Sequence, residues 1–341
     1  MENSTVSFYF NFTMFMRIGH YRYVAFVFFL LLYSFIVCAN VLIIWIILRE
    51  STLHKPMNVF IAFLSVNSLY GSAGFFPRFL MDLLSDTHLI SRPACFTQIY
   101  IIYTYASYEL TILSIMAYDR YVAVCHPLHY HRKMTYKTVY SLAFFAWVLP
   151  ACNLSISIHM IVRLPLCGNK IEKIYCASWN IVKLSCVSAA VSNIGAMLGA
   201  IAITVLPFGF ILYTYLRIVL ACWKNSSEVR GKVLQSCLPH VISFVVYSVT
   251  SFSDTALSRQ NLQKVNPFVA VILSIEFIII PPFVNPLVYG LKVSEIRRHI
   301  FRTLCSKPGS KKISCRPLRD STNVLQTFCA VNETSTEQND A

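Results

Sequence analysis

Seven long apolar segments dominate the sequence and restrict its fold more than any other feature. The clearest one, residues 23–48, contains no Lys, Arg, Asp or Glu. A helix needs about 20 mostly apolar residues to cross a bilayer, and each segment is long enough to do so. The other six segments are residues 57–80, 96–118, 139–161, 191–221, 233–253 and 265–291. The sequence therefore predicts an all-α fold, a bundle of seven transmembrane helices over residues 23–291.

The composition excludes most soluble functions. Of the 341 residues, 56% are apolar and only 13% are charged, whereas a soluble domain carries about 25% charged residues. The net charge of +14 would indicate nucleic-acid binding if the basic residues formed one soluble face. Most of them lie instead in the short segments between the spans and in the tail. We therefore predict a lipid membrane as a partner and no nucleic acid.

The basic residues also predict an orientation. With the N-terminus outside, the inner segments and the tail hold 19 of the 29 lysines and arginines, which are enriched on the cytoplasmic side of membrane proteins. Asn3 and Asn11 begin two glycosylation sequons in residues 1–22, which would then be extracellular. We expect a multi-pass plasma-membrane protein with an extracellular N-terminus and a cytoplasmic C-terminus.

Four of the twelve cysteines fall in predicted outer segments, where disulfides persist. They are Cys95, Cys167, Cys176 and Cys186. Four cysteines allow three pairings, and the sequence alone does not choose between them.

The region after the last span divides into two parts. In residues 292–304 apolar side chains recur at helical spacing beside arginines, which predicts an amphipathic helix on the inner membrane surface. Cys305 is either a palmitoylation site or a free thiol. Residues 305–341 are polar and rich in Ser and Thr, so we expect a disordered cytoplasmic tail.

The most informative string, MAYDRYVAVCHPL at residues 116–128, lies at the inner end of the third span. Arg120 can pair with Asp119 while the bundle is closed and can donate hydrogen bonds to a partner when the bundle opens. Charged residues at a helix end are also ordinary at a membrane interface, so the triplet Asp119, Arg120 and Tyr121 does not decide by itself.

Further strings occur in a fixed order along the chain. They are LHKPM at 53–57, CFTQ at 95–98, Lys232 with Cys237 and His240, and NPLVYG at 285–290. Together with the string at 116–128, they resemble the odorant-receptor branch of the rhodopsin-like (class A) G-protein-coupled receptors over roughly residues 23–304. LCG at 166–168, KIYC at 173–176 and IEF at 275–277 look most like fish-type members.

The resemblance implies a receptor that binds a small-molecule odorant within the bundle. It also implies activation of a heterotrimeric G protein of the olfactory stimulatory type, which raises cyclic AMP. The implied coupling and switch residues are Asp119, Arg120, Tyr121, Tyr213, Asn285, Pro286 and Tyr289. The implied disulfides are Cys95–Cys176, which would hold a lid over the mouth of the bundle, and Cys167–Cys186 within the second outer loop.

An interior polar site is expected around Glu109, which lies in the middle of the third span. An ionisable residue at that depth normally faces the bundle interior, and it is either a protonated structural carboxyl or part of a cation or water site. The family carries Glu at this position, and Ser68 and Asn285 are the expected neighbours. Many members have Asp where Ser68 stands, so one acidic ligand for sodium is missing and Asn285 would complete a neutral network.

Lys232 stands at the inner end of the sixth span, where rhodopsin-like receptors often have an acidic residue. We therefore expect Arg120 to pair with Asp119 or to rest on neutral neighbours.

Two groups of residues are candidates for the ligand site. Helical spacing from Cys95 places the first group on the inward face of the third span: Ile102, Tyr103, Ala106, Ser107 and Leu110. By resemblance, residues of the fifth and sixth spans complete the site: Met197, Leu198, Ile201, Ser251, Phe252 and Thr255. Such a lining is mostly apolar with a few hydroxyls, as is usual for small-molecule sites. Ordinary bundle packing explains each residue equally well when it is taken singly.

Two alternatives remain open on the sequence. A transporter would need charges along a midplane pathway and paired broken helices, whereas mainly Glu109 and Glu276 lie deep in the spans. A non-olfactory class A receptor would share the fold and the coupling.

The sequence contains no motif for catalysis and indicates no cofactor. The histidines of the second inner loop have no Cys or carboxylate at ligand spacing within that loop, so we expect no metal site. We interpret the outer-loop lysines Lys170, Lys173 and Lys183 as a solvated face rather than an anion site.

Overall fold

The computed structural model describes residues 8–15, 21–187, 190–223, 226–257 and 267–305. Seven long helices in these ranges have a stretch long and apolar enough to cross a membrane. They are α1 (Arg22–Arg49), α2 (Pro56–Leu84), α3 (Arg92–Cys125), α5 (Tyr136–Val162), α7 (Ala190–Trp223), α8 (Ser227–Leu257) and α9 (Pro267–Lys292). The predicted all-α fold with seven spans is confirmed.

Most of these helices extend beyond the predicted apolar segments, because a helix continues into the polar interface wherever its ends are satisfied. Proline in the first turn starts α2 and α3 without losing a helical hydrogen bond. Thr135 caps α5, and its side chain accepts a hydrogen bond from the backbone N–H of Thr138. Three shorter helices are α4 (Tyr130–Lys133), α6 (Ser178–Lys183) and α10 (Ser294–Cys305), the last of which covers the segment expected to be amphipathic.

The outward faces of the long helices carry large exposed apolar side chains, among them Phe28, Leu31, Phe144, Leu206 and Val249. In water such a surface would aggregate, whereas hydrocarbon solvates it at no cost. The surface therefore agrees with a lipid surrounding.

Prolines within the spans leave some backbone carbonyls without a helical hydrogen-bond donor. In two places a polar side chain of a neighbouring helix donates to such a carbonyl. Pro286 has no N–H to donate to the carbonyl of Pro282, and Asn40 of α1 donates to that oxygen (3.1 Å). Pro150 likewise leaves the carbonyl of Ala146 without its helical donor, and the hydroxyl of Thr111 donates to it (3.1 Å). These bonds tie α1 to α9 and α3 to α5.

The centre of the bundle is α3, which packs against α2, α5, α7 and α8. Close approach of α2 requires Gly71, because a Cβ atom there would lie 2.6 Å from Cγ of the buried Tyr105. Any larger residue at position 71 would push α2 away from α3.

A small sheet lies at the end of the bundle that carries the N-terminal segment, here called the outer end, and it was not predicted from the sequence. Strand β1 (Tyr9–Phe12) pairs antiparallel with β2 (Leu89–Ser91) and parallel with β3 (Lys170–Ile171). Phe10 and Phe12 of β1 are fully buried. The strands have only two to four residues each, too few for a recognisable alternation of apolar and polar residues. The N-terminal segment is thereby tied to the first and second outer loops.

Candidate functional site

Two disulfides hold the second outer loop in place. Cys95–Cys176 joins the first turn of α3 to the segment after β3, with Cα atoms 5.5 Å apart. Cys167–Cys186 closes the loop on itself, with Cα atoms 5.2 Å apart. Beside the first disulfide, Gln98 Oε1 accepts a hydrogen bond from the backbone N–H of Cys176 (3.0 Å). The loop is thus fixed directly above the outer end of α3.

A buried ion pair connects the same loop to α8. Lys173 Nζ donates to Asp254 Oδ1 (2.9 Å), and the Tyr175 hydroxyl donates to the same oxygen (2.9 Å). The Lys173 side chain is only 3% exposed. Burial and the Asp254 carboxylate raise the pKa of Tyr175, so its hydroxyl stays protonated and donates. The interpretation of Lys173 as part of a solvated face was therefore wrong, whereas Lys170 and Lys183 are exposed.

The five candidates on α3 fall into two sets. Ile102 and Leu110 are fully buried in the packed core. Tyr103, Ala106 and Ser107 are half-buried. The Tyr247 hydroxyl of α8 donates to the carbonyl of Ala106 (3.1 Å), so this face of α3 is turned towards α8.

The candidates on α7 and α8 need correction. Ile201 is 46% exposed, Phe252 is 68% exposed and Thr255 is also exposed, so they do not face the interior. On α8 the inward positions are Tyr247, Thr250 and Asp254, which follow each other at helical spacing.

Phe252 and Thr255 lie on a different side of α8 from its inward positions. There the ring of Phe252 contacts the ring of Phe208 of α7. Ser251, beside them, is half-buried. Met197 and Leu198 belong to α7, but their side chains lie outside the described residues.

The fully buried Glu109 is held by two amides from neighbouring helices. Asn67 Nδ2 of α2 donates to Oε2 of Glu109 (2.8 Å), and Asn285 Nδ2 of α9 donates to Oε1 (2.6 Å). Ser68, the expected neighbour, is also fully buried, and its hydroxyl donates to the carbonyl of Leu64 in its own helix (3.0 Å). The carboxyl group therefore links α2, α3 and α9 through amides.

Arg120 pairs with its neighbour in sequence at the inner end of α3. Its Nη2 lies 2.7 Å from Asp119 Oδ2, and the Tyr130 hydroxyl of α4 donates to Asp119 Oδ1 (2.8 Å). Burial and the Asp119 carboxylate raise the pKa of Tyr130, so this hydroxyl is a donor at every physiological pH. Lys232 pairs instead with Glu228 one turn away on the exposed face of α8 (2.6 Å).

A second polar contact lies between α3, α7 and α8. The fully buried His240 of α8 lies 2.8 Å from the carbonyl of Leu113 through Nε2, and its Nδ1 contacts the Tyr215 hydroxyl of α7. The expectation that Tyr213 belongs to the switch was wrong. Its ring is 50% exposed, and its hydroxyl accepts a hydrogen bond from Arg217 on the exposed face of α7 (3.1 Å). Two residues turn a helix by about 200°, so Tyr215 faces inward where Tyr213 faces outward.

The remaining predicted switch residues lie near the inner end. The Tyr121 hydroxyl lies 3.3 Å from Nε2 of His126. Tyr289 is buried in α9, one turn beyond Asn285, and Pro286 lies between them.

Comparison with known proteins identifies the family. The olfactory receptor family model matches residues 29–307. Human olfactory receptor 10J4 is 31% identical over 292 residues, which cover 85% of this chain and 92% of that protein. Human olfactory receptor 10A6 is 33% identical over 282 residues (81% and 88%), and rat olfactory receptor 1468 is 30% identical over 292 residues (85% and 92%). The chain belongs to the olfactory receptor family.

The structure of squid rhodopsin shares the fold of this olfactory receptor. The TM-score is 0.63 at 17% sequence identity, and the match covers 83% of this chain and 85% of the rhodopsin chain. The family membership makes the protein a multi-pass membrane receptor and not an enzyme, and it decides against the transporter alternative.

Several residues of this olfactory receptor that the structure brings into polar contact were absent from the predicted site. They are Asn67, Tyr130, Tyr215, Tyr175 and Asp254. A carboxylate near the outer end of the sixth span was a usable signal for Asp254, because buried charges require partners. No sequence signal distinguished Asn67 from Ser68, since both are small polar residues at adjacent positions.

Proposed function

We propose that this olfactory receptor binds a small odorant in the outer half of the bundle and then activates a heterotrimeric G protein of the stimulatory type, which raises cyclic AMP. The observation that carries the proposal is the contact of Arg120. Asp119 is its acidic partner among the described residues, and the two are adjacent in the same helix. Helix movement at the inner end therefore need not break a cross-helix ion pair to make Arg120 available.

The proposed ligand contacts are the half-buried residues on the side of α3 that faces α8, namely Tyr103, Ala106 and Ser107, together with Ser251 of α8. Met197 and Leu198 of α7 complete the set by resemblance. Apolar surface with a few hydroxyl groups suits a small organic molecule. Ile102 and Leu110 support this surface from the core behind it.

The proposed switch consists of Asp119, Arg120, Tyr121, Asn285, Pro286 and Tyr289, with Tyr215 in place of Tyr213. An odorant changes the balance between closed and open states only through contacts that differ between them. Tyr215 and His240 join α7 to α8 beside α3. Separation of α8 from α3 breaks this contact and opens the cleft beside Arg120.

Glu109 serves as a structural junction in this proposal, with Asn67 and Asn285 as its partners. Two amide donors satisfy both carboxyl oxygens without a cation. Any movement of α9 relative to α3 changes the contact between Asn285 and Glu109. The junction therefore couples the positions of α2, α3 and α9.

We place the receptor in the plasma membrane with its N-terminus outside. The excess of Lys and Arg in the segments on the C-terminal side supports this orientation. Asn11, which begins one of the two sequons, is half-buried on the face of β1 opposite to Phe10 and Phe12. Asn3 lies outside the described residues. Tags at the two termini, detected on cells before and after permeabilisation, test the orientation, and detection of both tags on intact cells contradicts it.

Cyclic AMP measured in cells that carry the receptor and an olfactory stimulatory G protein tests the coupling. We expect an odorant-dependent rise that Arg120→Ala abolishes at equal surface abundance. Lys232→Ala is the matched control, since its ammonium group pairs only with Glu228 on the exposed face among the described residues. A rise that persists in Arg120→Ala contradicts the assigned role of Arg120.

A further inference from the structure

Basic residues from separate segments meet at the inner end of the bundle. His54, between α1 and α2, has Nε2 3.3 Å from the carbonyl oxygen of Leu48, and its own carbonyl accepts a hydrogen bond from the Tyr136 hydroxyl (3.1 Å). The end of α1, the first inner loop and the start of α5 are therefore in contact. Arg49 follows Leu48 directly and Lys137 follows Tyr136 directly, so both cations lie beside these contacts.

The short helix α4 adds two more cations to the same surface. Arg132 and Lys133 end α4 and precede Tyr136 by only three or four residues, so the chain cannot carry them far from it. Arg132 is exposed, like Arg49 and Lys137, and Lys133 is half-buried. We call Arg49, Arg132, Lys133 and Lys137 together the basic patch.

Every carboxylate that the structure describes on the inner side contacts a partner outside the basic patch. The partners are His299, Lys55, Arg120 and Lys232, which contact Glu50, Glu295, Asp119 and Glu228 respectively. No residue of the patch forms an ion pair with a residue that the structure describes. Because like charges close together repel each other, the patch favours an anionic partner.

Exposed aromatic rings place the basic patch at the membrane interface. The Arg49 guanidinium lies over the ring of Trp45, 5.0 Å from its centroid, and Trp45 is itself exposed on α1. Tyr136 and Tyr140 are exposed one turn apart on α5. Trp and Tyr are enriched at the level of the lipid headgroups, because their rings are apolar at one end and polar at the other. Further along α5 the exposed face is apolar, as at Phe144.

We propose that the basic patch binds the phosphorylated headgroup of a phosphoinositide lipid, whose acyl chains lie along the apolar faces of α1 and α5. Clusters of about four or more Lys and Arg beside a span attract such headgroups in the cytoplasmic leaflet. Phosphate oxygens accept charge-assisted hydrogen bonds from Arg and Lys. A headgroup with several phosphates neutralises the patch with one molecule, whereas phosphatidylserine brings a single net charge. The proposal does not rest on the odorant site or on G-protein coupling.

Binding measurements with lipids that differ only in the headgroup test the lipid class. Native mass spectrometry of the full-length receptor in detergent compares phosphatidylinositol bisphosphate, phosphatidylinositol and phosphatidylserine, all with the same acyl chains. We expect the bisphosphate to bind about tenfold or more tightly than the other two lipids. Equal affinities overturn the proposal, because they indicate only a general attraction to a basic surface.

A soluble competitor tests whether the partner is a lipid. Inositol trisphosphate carries the phosphorylated ring without acyl chains, so it cannot use the apolar faces of α1 and α5. We expect it to displace the bisphosphate lipid only at concentrations about tenfold or more above that of the lipid. If it binds as tightly as the lipid, the patch is a site for free phosphates and the proposal is overturned.

Substitution of the exposed patch residues tests the location. The combined variant Arg49→Gln, Arg132→Gln and Lys137→Gln should bind the bisphosphate lipid about tenfold or more weakly, because each cation beside the membrane surface contributes to the attraction. All three side chains are exposed, so the fold does not depend on their burial. The midpoint of thermal unfolding checks that the variant is folded.

The matched control removes the same charge from the inner ends of α7 and α8. It combines Arg217→Gln, Arg230→Gln and Lys232→Gln, and its affinity for the bisphosphate lipid should change less than about twofold. Equal losses in the patch variant and the control overturn the assignment to the patch.

Single substitutions keep the test decisive if the combined variant does not fold. Lys137→Gln should lower the affinity for the bisphosphate lipid about fivefold, and Lys232→Gln should leave it unchanged. Equal affinities of these two variants overturn the proposal.

Discussion

The second outer loop and the surroundings of Arg120 are held in place in different ways. At the outer end the contacts join segments far apart in sequence, for example Cys95 with Cys176 and Lys173 with Asp254, each pair 81 residues apart. Around Arg120 the ionic contacts are local, since Asp119 is its neighbour in sequence. Long-range contacts restrain helices relative to each other, whereas local contacts move with their own helix. The pairing of Arg120 with Asp119 therefore does not itself hold two helices together, whereas the outer contacts tie the second outer loop to α3 and α8.

The largest expected effect comes from removing the outer cross-link. Cys95→Ser with Cys176→Ser should lower the free energy of unfolding by about 4 kcal/mol, because the disulfide closes a long loop. Surface abundance and thermal unfolding measure the loss, and Cys38→Ser, at an exposed free cysteine, is the control. A double variant as stable as the control would show that the outer end does not depend on this covalent link.

The junction at Glu109 lies between the two ends of the bundle, and its loss should have the second largest effect on stability. Asn67→Ala leaves one buried carboxyl oxygen without its donor and should cost about 1–3 kcal/mol. Ser68→Ala, one residue away, should cost much less because its hydroxyl binds only within its own helix. Thermal unfolding in nanodiscs compares the two, and a larger loss for Ser68→Ala contradicts the geometry.

At the inner end, Tyr215→Phe removes a hydrogen-bonding partner of His240. The resting state should lose about 1 kcal/mol, and basal cyclic AMP should rise because the α7–α8 contact restrains the closed cleft. Tyr213→Phe is the matched control on the outer surface of the same helix. If both variants behave alike, the cross-helix contact does not restrain the inner end.

The smallest effect is a pH dependence at the outer end. His88 stacks on Phe15, with ring centroids 5.0 Å apart, and burial lowers its pKa despite the carboxylates of Asp82 and Asp86 nearby. A histidine with a lowered pKa in the folded state binds protons more readily when unfolded, so the free energy of unfolding falls as the pH drops below about 6.5. The change should stay below about 1 kcal/mol because the ring is partly solvated.

Thermal unfolding at pH 7.5 and pH 5.5 measures this dependence. His88→Phe should reduce the difference between the two values, while the Arg22–Asp86 ion pair remains in place. An unchanged difference would assign the dependence to other groups.

The sequence by itself determined the number and approximate positions of the spans, because the length of an apolar segment is a local property and decides whether a helix can cross the bilayer. Its short strings also predicted the family and the pairing of Arg120 with Asp119, because these depend on neighbours in the chain. It did not determine which side of each helix faces inward. Asn67 and Ser68 are both buried but only Asn67 is seen to donate to Glu109, and Tyr215 rather than Tyr213 faces the interior, because neighbouring helices decide the rotation.

The tertiary structure alone decided the contacts between distant segments. The position of Lys173 in a polar loop predicts a solvated side chain, yet the folded outer loop buries it against Asp254 of α8. The strand β1 forms only because two outer loops offer it hydrogen-bonding partners. The burial of a charged residue and the formation of a short strand depend on contacts with segments that are distant in sequence. Local sequence patterns do not predict such contacts.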